Sequence, residues 1–322
     1  MADPNVGQRV AANWEAVIGD KPEDQIHDDY WLLNRLSKGE GFKGLDGGDY
    51  IAVPIEYDVN GTVASYSDTD TISTTRGDFL DRYEAQWKEY AGTYVASELE
   101  KDRNAGAGQV FPLIPAKLNN LKDSFRRVLN TDMFGLGTGN SGKVLSGLQM
   151  LVSTTPTTGT VQAVNRANFA FARNQQTTGT LTATAFDNLR AAMRSNYNLC
   201  SNGIADAHPE FAVTTRTVFE GYEGLLIANE RFADKATGDG GFKNEVLKFK
   251  GALISYDNAC PAGNLYFLNT KFLKLIYKTG AWMKARPAVN PANQTIDIVL
   301  IRTMCNLVAT QPRRLGVVSA IT

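Results

Sequence analysis

Gly137-Thr-Gly-Asn-Ser-Gly142-Lys143 has the spacing G-x-x-x-x-G-K, with which a glycine-rich turn can wrap a phosphate in backbone N–H groups while a lysine reaches its oxygens. The same chemistry needs a serine or threonine next, to hold magnesium, and the chain has Val144 there. It also needs a hydrophobic strand running into the turn, whereas the segment ahead of Gly137 reads as the end of a long helix. A glycine-rich connector accounts for these residues better than a P-loop nucleotide hydrolase does, and that hydrolase is the reading kept from the enzyme class.

Other residues with chemistry in them do not gather. His27 and His208 are the two histidines, far apart and without a third ligand at a zinc-site spacing, and neither belongs to a Ser/His/Asp pattern. Asp68 and Asp70 lack the glycine and glutamate of a calcium loop. Asn60-Gly-Thr and Asn293-Gln-Thr match a glycosylation pattern that a cytosolic chain does not use. Cys200, Cys260 and Cys305 fall in no C-x-x-C spacing and read as reduced thiols. No metal, cofactor or catalytic residue is expected, and the chain reads as a protein that is not an enzyme.

The elements that would position any site come from composition and period. The 322 residues are 43% hydrophobic and 21% charged, which suits a globular protein with room for two cores. A net charge of −1 excludes nucleic-acid binding by overall charge, so any such contact must come from a local patch. The start has no apolar signal segment, and no run approaches the roughly 18 apolar residues of a membrane span, so neither export nor membrane insertion is expected.

The first forty residues read as an extended arm with one short helix, anchored by Trp14, Tyr30, Trp31, Leu32, Leu33 and Leu36. Ile51, Val53, Ile55 and Tyr57 then alternate with Ala52, Pro54, Glu56 and Asp58, a period-two strand that Pro54 confines to an edge or a free ribbon. Its return strand sets Tyr83, Ala85 and Trp87 against Arg82, Glu84, Gln86 and Lys88. Between them lies DVNGTVASYSDTDTISTTRGD, a long polar connection with almost nothing to bury. It lies on another surface, such as a neighbouring copy, or is a surface hairpin.

Ile114, Leu118, Leu121, Phe125 and Val128 form one stripe of a long helix, with Pro112 and Pro115 in its first turn and Lys122, Arg126 and Arg127 off the stripe. Thr184 caps a helix carrying Phe186, Leu189, Met193 and Tyr197. Phe211-Ala212-Val213 reads as a buried strand and TVFEGYEGLLIANERF as a helix. LKFKGALISYDNACPAGNLYFLNTKFLKL, Leu247 to Leu275, reads as a hairpin turning on Pro261 and Gly263, and QTIDIVLIRTMCNLVAT as a strand buried on both faces at its centre. Without a regular βαβ repeat the fold class is α+β.

In this order, GLQMLVSTTPTTGTVQAVNRANFAFARNQ, the F-K-G…D…C-P-x-G-x-x-Y-F-L-N-T block within Leu247–Leu275, and the closing QPRRLGVV resemble the major capsid proteins of tailed bacteriophages (Caudoviricetes), over nearly the whole chain from about residue 30. Such coats often have Phe-Trp-Arg where this chain has Phe171-Ala172-Arg173.

The resemblance implies a Hong Kong phage-type capsid fold: an N-terminal arm (1–42), an extended β-hairpin loop (43–90), a peripheral domain with a long spine helix (91–147 and 286–310), and an axial domain (148–285 and 311–322). It implies a structural protein that self-assembles into pentamers and hexamers of an icosahedral virion capsid in the host cytoplasm, around non-specifically held double-stranded DNA. The implied partners are further copies of itself, a scaffolding protein, a portal protein and a cement or decoration protein, with no membrane. Lys122, Arg126 and Arg127 would then face DNA on the inner wall, and the loop bearing Asn60, Tyr66, Asp68, Asp70 and Arg76 would cross to the adjacent subunit. An encapsulin nanocompartment shell, which uses the same fold, is the nearest rival; the long ribbon and arm favour the virus. The family's isopeptide weld needs a ribbon lysine, and residues 58–81 have Arg76 as their sole cation, so a non-covalent shell is expected.

Overall fold

The computed structural model describes residues 30–103, 113–178, 186–201, 203, 207–227 and 247–321. Trp14, His27, Pro112, Thr184 and the last five residues of the TVFEGYEGLLIANERF segment lie outside them. The chain runs through α1 (Trp31–Lys38), β1 (Phe42–Leu45), β2 (Tyr50–Glu56), β3 (Leu80–Gln86), β4 (Lys88–Ser97), α2 (Glu98–Arg103) and α3 (Leu113–Met133). There follow α4 (Leu148–Leu151), β5 (Thr160–Val161), β6 (Val164–Asn165), β7 (Gln175–Thr177), α5 (Phe186–Ser201), β8 (Phe211–Thr214) and α6 (Arg216–Ile227). Among the described residues there follow the strands β9 (Leu247–Phe249), β10 (Ala252–Tyr256), β11 (Leu265–Leu268), β12 (Leu273–Lys278), β13 (Lys284–Ala285), β14 (Ile296–Ala309) and β15 (Gly316–Val318), with a 3-10 turn at Pro312–Arg314 before the last. No described helix is long and apolar enough to cross a membrane.

The chain divides into two compact units. The larger takes Tyr30–Glu89, Leu129–Thr279 and Met304–Thr322. Its main sheet has the order β7-β15-β11-β8-β10-β9. Leu189, Met193 and Tyr197 of α5 and Val218, Phe219 and Tyr222 of α6 share one buried cluster with Ala212, Ile254, Leu265 and Phe267 of that sheet. On Phe211 the α1 residue Trp31 sits edge-on at 5.5 Å, and Leu32, Leu33 and Leu36 are buried. Both helices and the buried β8 stand where the periodicity puts them.

The hairpin expected within Leu247–Leu275 is built differently. β9 and β10 form the tight antiparallel pair, turning on Lys250 and Gly251, which both have positive φ. The Pro261–Gly263 turn does not join paired strands. β8 lies between β10 and β11, parallel to the first and antiparallel to the second. The fully buried strand Phe-Ala-Val-Thr bonds on both edges, so a distant segment supplies the neighbour that sequence order suggests is next door.

The smaller unit, among described residues, comprises parts of Tyr90–Val128 and Gly280–Thr303. β13 pairs antiparallel with β14 at Lys284–Arg302 and Ala285–Ile301. Phe125 and Leu121 crowd Gly92 so closely that a Cβ there would lie 2.8 Å from the Phe125 ring. The Glu98 N–H donates to Thr295 O at 3.1 Å, Lys117 pairs with Glu100 at 2.5 Å, and Lys101 pairs with Asp297.

Two expectations about long elements are corrected. The helix stripe ends on Leu129 and Met133, which are fully buried, whereas Ile114 and Val128 are exposed; the spacing after Phe125 is four, as a 3.6-residue period allows. The long strand β14 is buried on both faces toward its C-terminal end, from Cys305 to Ala309, and only half-buried from Ile296 to Leu300. Apolar residues alone do not reveal which end of such a strand is covered.

Candidate functional site

The glycine-rich stretch does not form a phosphate cradle. After α3 the chain makes a left-handed turn in which Asn140 and Ser141 have φ of 45° and 55°, flanked by positive-φ Gly137 and Gly142. Its N–H groups turn inward: Gly142 donates to Thr138 O and Lys143 to Asn140 O, both at 3.2 Å. Lys143 is exposed, and the Gly142 carbonyl accepts from Lys88 Nζ at 2.5 Å. Among the described residues no three His, Cys, Asp or Glu side chains are placed to hold a metal ion. His208 Nδ1 lies 3.1 Å from Pro209 O. The three cysteines are free and buried, and burial pushes the Cys200 and Cys305 thiols up to about 12.

The built surface feature is the ribbon. β2 and β3 pair antiparallel from Tyr50–Gln86 to Glu56–Leu80, and Ile51, Tyr83 and Ala85 are the buried residues of the face that alternation selects. That face rests on the chain's own core: Ile51 and Ala85 pack with Ile276 of β12 and Val308 of β14, and Leu45, Val53 and Trp87 border them. A two-stranded ribbon is only marginally stable alone, and here its root has a sheet beneath it. Asn306 adds polar ties, donating to Gln86 O at 2.7 Å and accepting from the Ser146 N–H at 2.8 Å. Of the two expectations, a ribbon lying on another surface or a surface hairpin, neither foresees that its root packs on the chain's own core.

Farther out, the Tyr57 ring stacks on Phe171 at 5.5 Å, and its hydroxyl donates to Asp78 O at 2.9 Å, closing the neck of the loop. Partial burial, then the nearby carboxylates Asp78, Asp81 and Asp58, raise the Tyr57 pKa. Tyr83 lies deeper, and burial pushes its phenol up to about 12. The Glu84 N–H donates to Gln162 O at 3.1 Å in the β5–β6 turn. A cavity of about 660 Å³ opens at this neck, lined by Glu56, Tyr57, Tyr83, Phe171, Phe272 and Arg313 among others. The stretch with Phe171 thus supports the ribbon, a role that no spacing rule announces.

Beyond the neck, residues 57–79 have neither helix nor strand. The predicted loop residues Asn60, Tyr66, Asp68, Asp70 and Arg76 are all exposed there. Short polar contacts shape the backbone. Asn60 Oδ1 accepts from the Thr62 N–H at 3.0 Å and hydroxyl at 2.8 Å. Tyr66 donates its hydroxyl proton to Thr62 O at 3.0 Å and accepts from the Ser73 N–H at 3.3 Å. The Ser67 N–H donates to Asp70 at 2.9 Å, which holds the Asp70 carboxyl below its ordinary value. Meanwhile Val59 and Val63 are 83% exposed and Ile72 66%. A loop shaped by its own hydrogen bonds that turns several large apolar side chains to water carries an unsatisfied surface.

On α3, Arg126 and Arg127 are exposed and Lys122 half-buried. Arg126 pairs with Asp123 at 2.7 Å, one turn away, which offsets part of the local positive charge.

No family model matches the sequence, and no curated protein matches it. Solved structures do match, end to end. The chain is similar to a subunit of the cyanophage A-1(L) capsid asymmetric unit (TM-score 0.69, 14% identity, 96% of this chain and 97% of that one). It is similar to the capsid of a native GTA particle (TM-score 0.65, 12% identity, 100% of both chains). It is also similar to the encapsulin of the holo-SrpI complex from Synechococcus elongatus PCC 7942 (TM-score 0.60, 10% identity, 100% of this chain and 96% of that one). The chain therefore has the Hong Kong phage-type coat fold, an α+β architecture, as the resemblance of its sequence implies.

Proposed function

We propose that the chain is the major capsid protein of a tailed phage, a structural protein that closes into an icosahedral head of pentamers and hexamers around double-stranded DNA. The observation that carries this reading is the end-to-end match to a phage capsid subunit, joined to a loop whose apolar side chains Val59, Val63 and Ile72 stand exposed among the described residues. Residues 57–79 would lie across the adjacent copy and the arm would interlock neighbours. α3 would be the spine of the peripheral domain, and the sheet of β8, β10 and β11 would form the rigid axial domain at the symmetry centres. Lys122, Arg126 and Arg127 would meet phosphates on the inner wall without sequence preference. A scaffolding protein, a portal protein and a cement protein complete the expected partners, and the virion capsid is the location.

The match to an encapsulin favours a second reading, a nanocompartment enclosing protein. Nuclease-treated particles decide between them. Protected double-stranded DNA supports the phage head, and a proteinaceous cargo without DNA supports the compartment. Replacing Lys122, Arg126 and Arg127 by Ala should weaken DNA binding on all sequences alike and flatten its salt dependence by about 0.9 in log–log slope per lost phosphate contact.

A further inference from the structure

We propose that Asn60–Gly61 is a self-modification site, at which the loop converts its own asparagine to a succinimide and then to aspartate and isoaspartate. The chemistry is an intramolecular acyl transfer. The Gly61 backbone nitrogen, losing its proton to solvent base, bonds to Asn60 Cγ. The carbonyl electrons move onto Oδ1, and collapse of that oxyanion breaks the Cγ–Nδ2 bond and releases ammonia. Water then opens the ring, at Cγ to give aspartate or at the backbone carbonyl to give isoaspartate. Water is the sole co-reactant.

Three features of the loop favour the step. The Gly61 N–H makes no hydrogen bond among the described residues, so the nucleophile is uncommitted. Gly61 has no Cβ, and nothing lies within 4 Å of where one would be, so the backbone can turn toward the side chain without a clash. Asn60 Oδ1, where negative charge develops, already accepts from the Thr62 N–H at 3.0 Å and the Thr62 hydroxyl at 2.8 Å. Two donors at the developing oxyanion are the usual electrostatic aid to acyl transfer. The same pattern of residues reads as a glycosylation sequon, but its geometry serves the asparagine's own backbone.

The product matters to the surface on which it forms. A new carboxylate joins Asp58, Asp68, Asp70, Asp78 and Asp81 in a loop with Arg76 as its sole cation. Isoaspartate also lengthens the backbone by one carbon and dissolves the turn that Thr62 closes. If residues 57–79 bind the adjacent copy, a free subunit loses competence with age; that consequence rests on the proposed function, whereas the modification does not.

The test uses soluble subunits separated from particles, incubated at physiological temperature and mildly alkaline pH. Peptides are then analysed by mass spectrometry and isoaspartyl methyltransferase labelling. Isoaspartate at residue 60 should accumulate in the wild type, should be strongly suppressed in Gly61→Ala, and should form about five-fold more slowly in Thr62→Val, the worth of one neutral hydrogen bond. Asn60→Gln supplies the unreactive control, and circular dichroism confirms that each variant folds. An Asn60 that stays intact while the Asn202–Gly203 peptide ages, or a rate indifferent to Gly61→Ala, would overturn the proposal. Either result leaves the assembly role of the loop to its own tests.

Discussion

The Asn130 side-chain amide donates to both oxygens of the Asp257 carboxylate, at 2.9 and 3.1 Å, across 127 positions of sequence. The Ala259 N–H reaches the same carboxylate at 3.0 Å and the Leu32 N–H at 3.5 Å, so one buried acidic group joins α1, the end of α3 and the loop after β10. Burial is the largest influence on it and outweighs these donors, so its pKa is raised.

Asp257→Ala should therefore destabilise the chain, at about 1–3 kcal/mol for each donor left buried without an acceptor. A group whose folded pKa is raised supports the fold fully below its unfolded value and loses that support as pH rises through the folded value. Denaturant titrations of both proteins should show the largest gap on the acid side of that window and a narrowing gap above it. A gap that widens with rising pH would mean that the charged form is the favoured one.

Deleting Asn60 to Arg76 should leave a soluble, folded subunit, because Ile51 and Ala85 hold the ribbon's root on Ile276 and Val308. The same subunit should fail to close a shell. Thermal melts check the first expectation and particle sedimentation the second; normal closed particles from the deletion variant would remove the loop from the assembly contact.

Lys143→Ala should change neither stability nor nucleotide binding, since Lys143 is exposed and calorimetry should find no magnesium-dependent ATP binding in either protein. Gly147→Ala, four residues on, should be costly. Its Cβ would lie 2.2 Å from Gly135 O and 2.6 Å from Asp132 O, an overlap worth at least about 1–3 kcal/mol. Micromolar ATP binding lost in Lys143→Ala would restore the enzyme reading.

Particles boiled in detergent under reducing conditions should run as one band at 35.1 kDa. The loop offers no lysine, and the thiols lie buried with raised pKa, poor partners for exchange. A ladder of covalent multimers would show a cross-link from another donor.

What the sequence discloses follows from how local each signal is. β2 and β3 are legible because one of their faces is buried, so Ile51, Tyr83 and Ala85 must recur at every second position. α5 and α6 are legible because their apolar residues recur with the helical period on a shared cluster. The insertion of β8 between β10 and β11 is not, since the apolar run Phe211-Ala212-Val213 says that a strand is buried and not which strands flank it. The Asn130–Asp257 pair has no local signature at all. For the candidate surface, the polarity of residues 57–79 marks a loop without a core. Its seat on Phe171, and the closing of its neck by Tyr57 and Asp78, arise from side chains distant in sequence.

A capsid protein of this kind should build a closed shell by itself or on a scaffold. Electron microscopy of the purified protein, with three-dimensional reconstruction, tests it most directly. Closed icosahedral particles with pentameric and hexameric clusters should be seen, in which residues 57–79 of one copy lie against the next. Monomers or small open oligomers under all conditions, with or without a scaffolding protein, would contradict it.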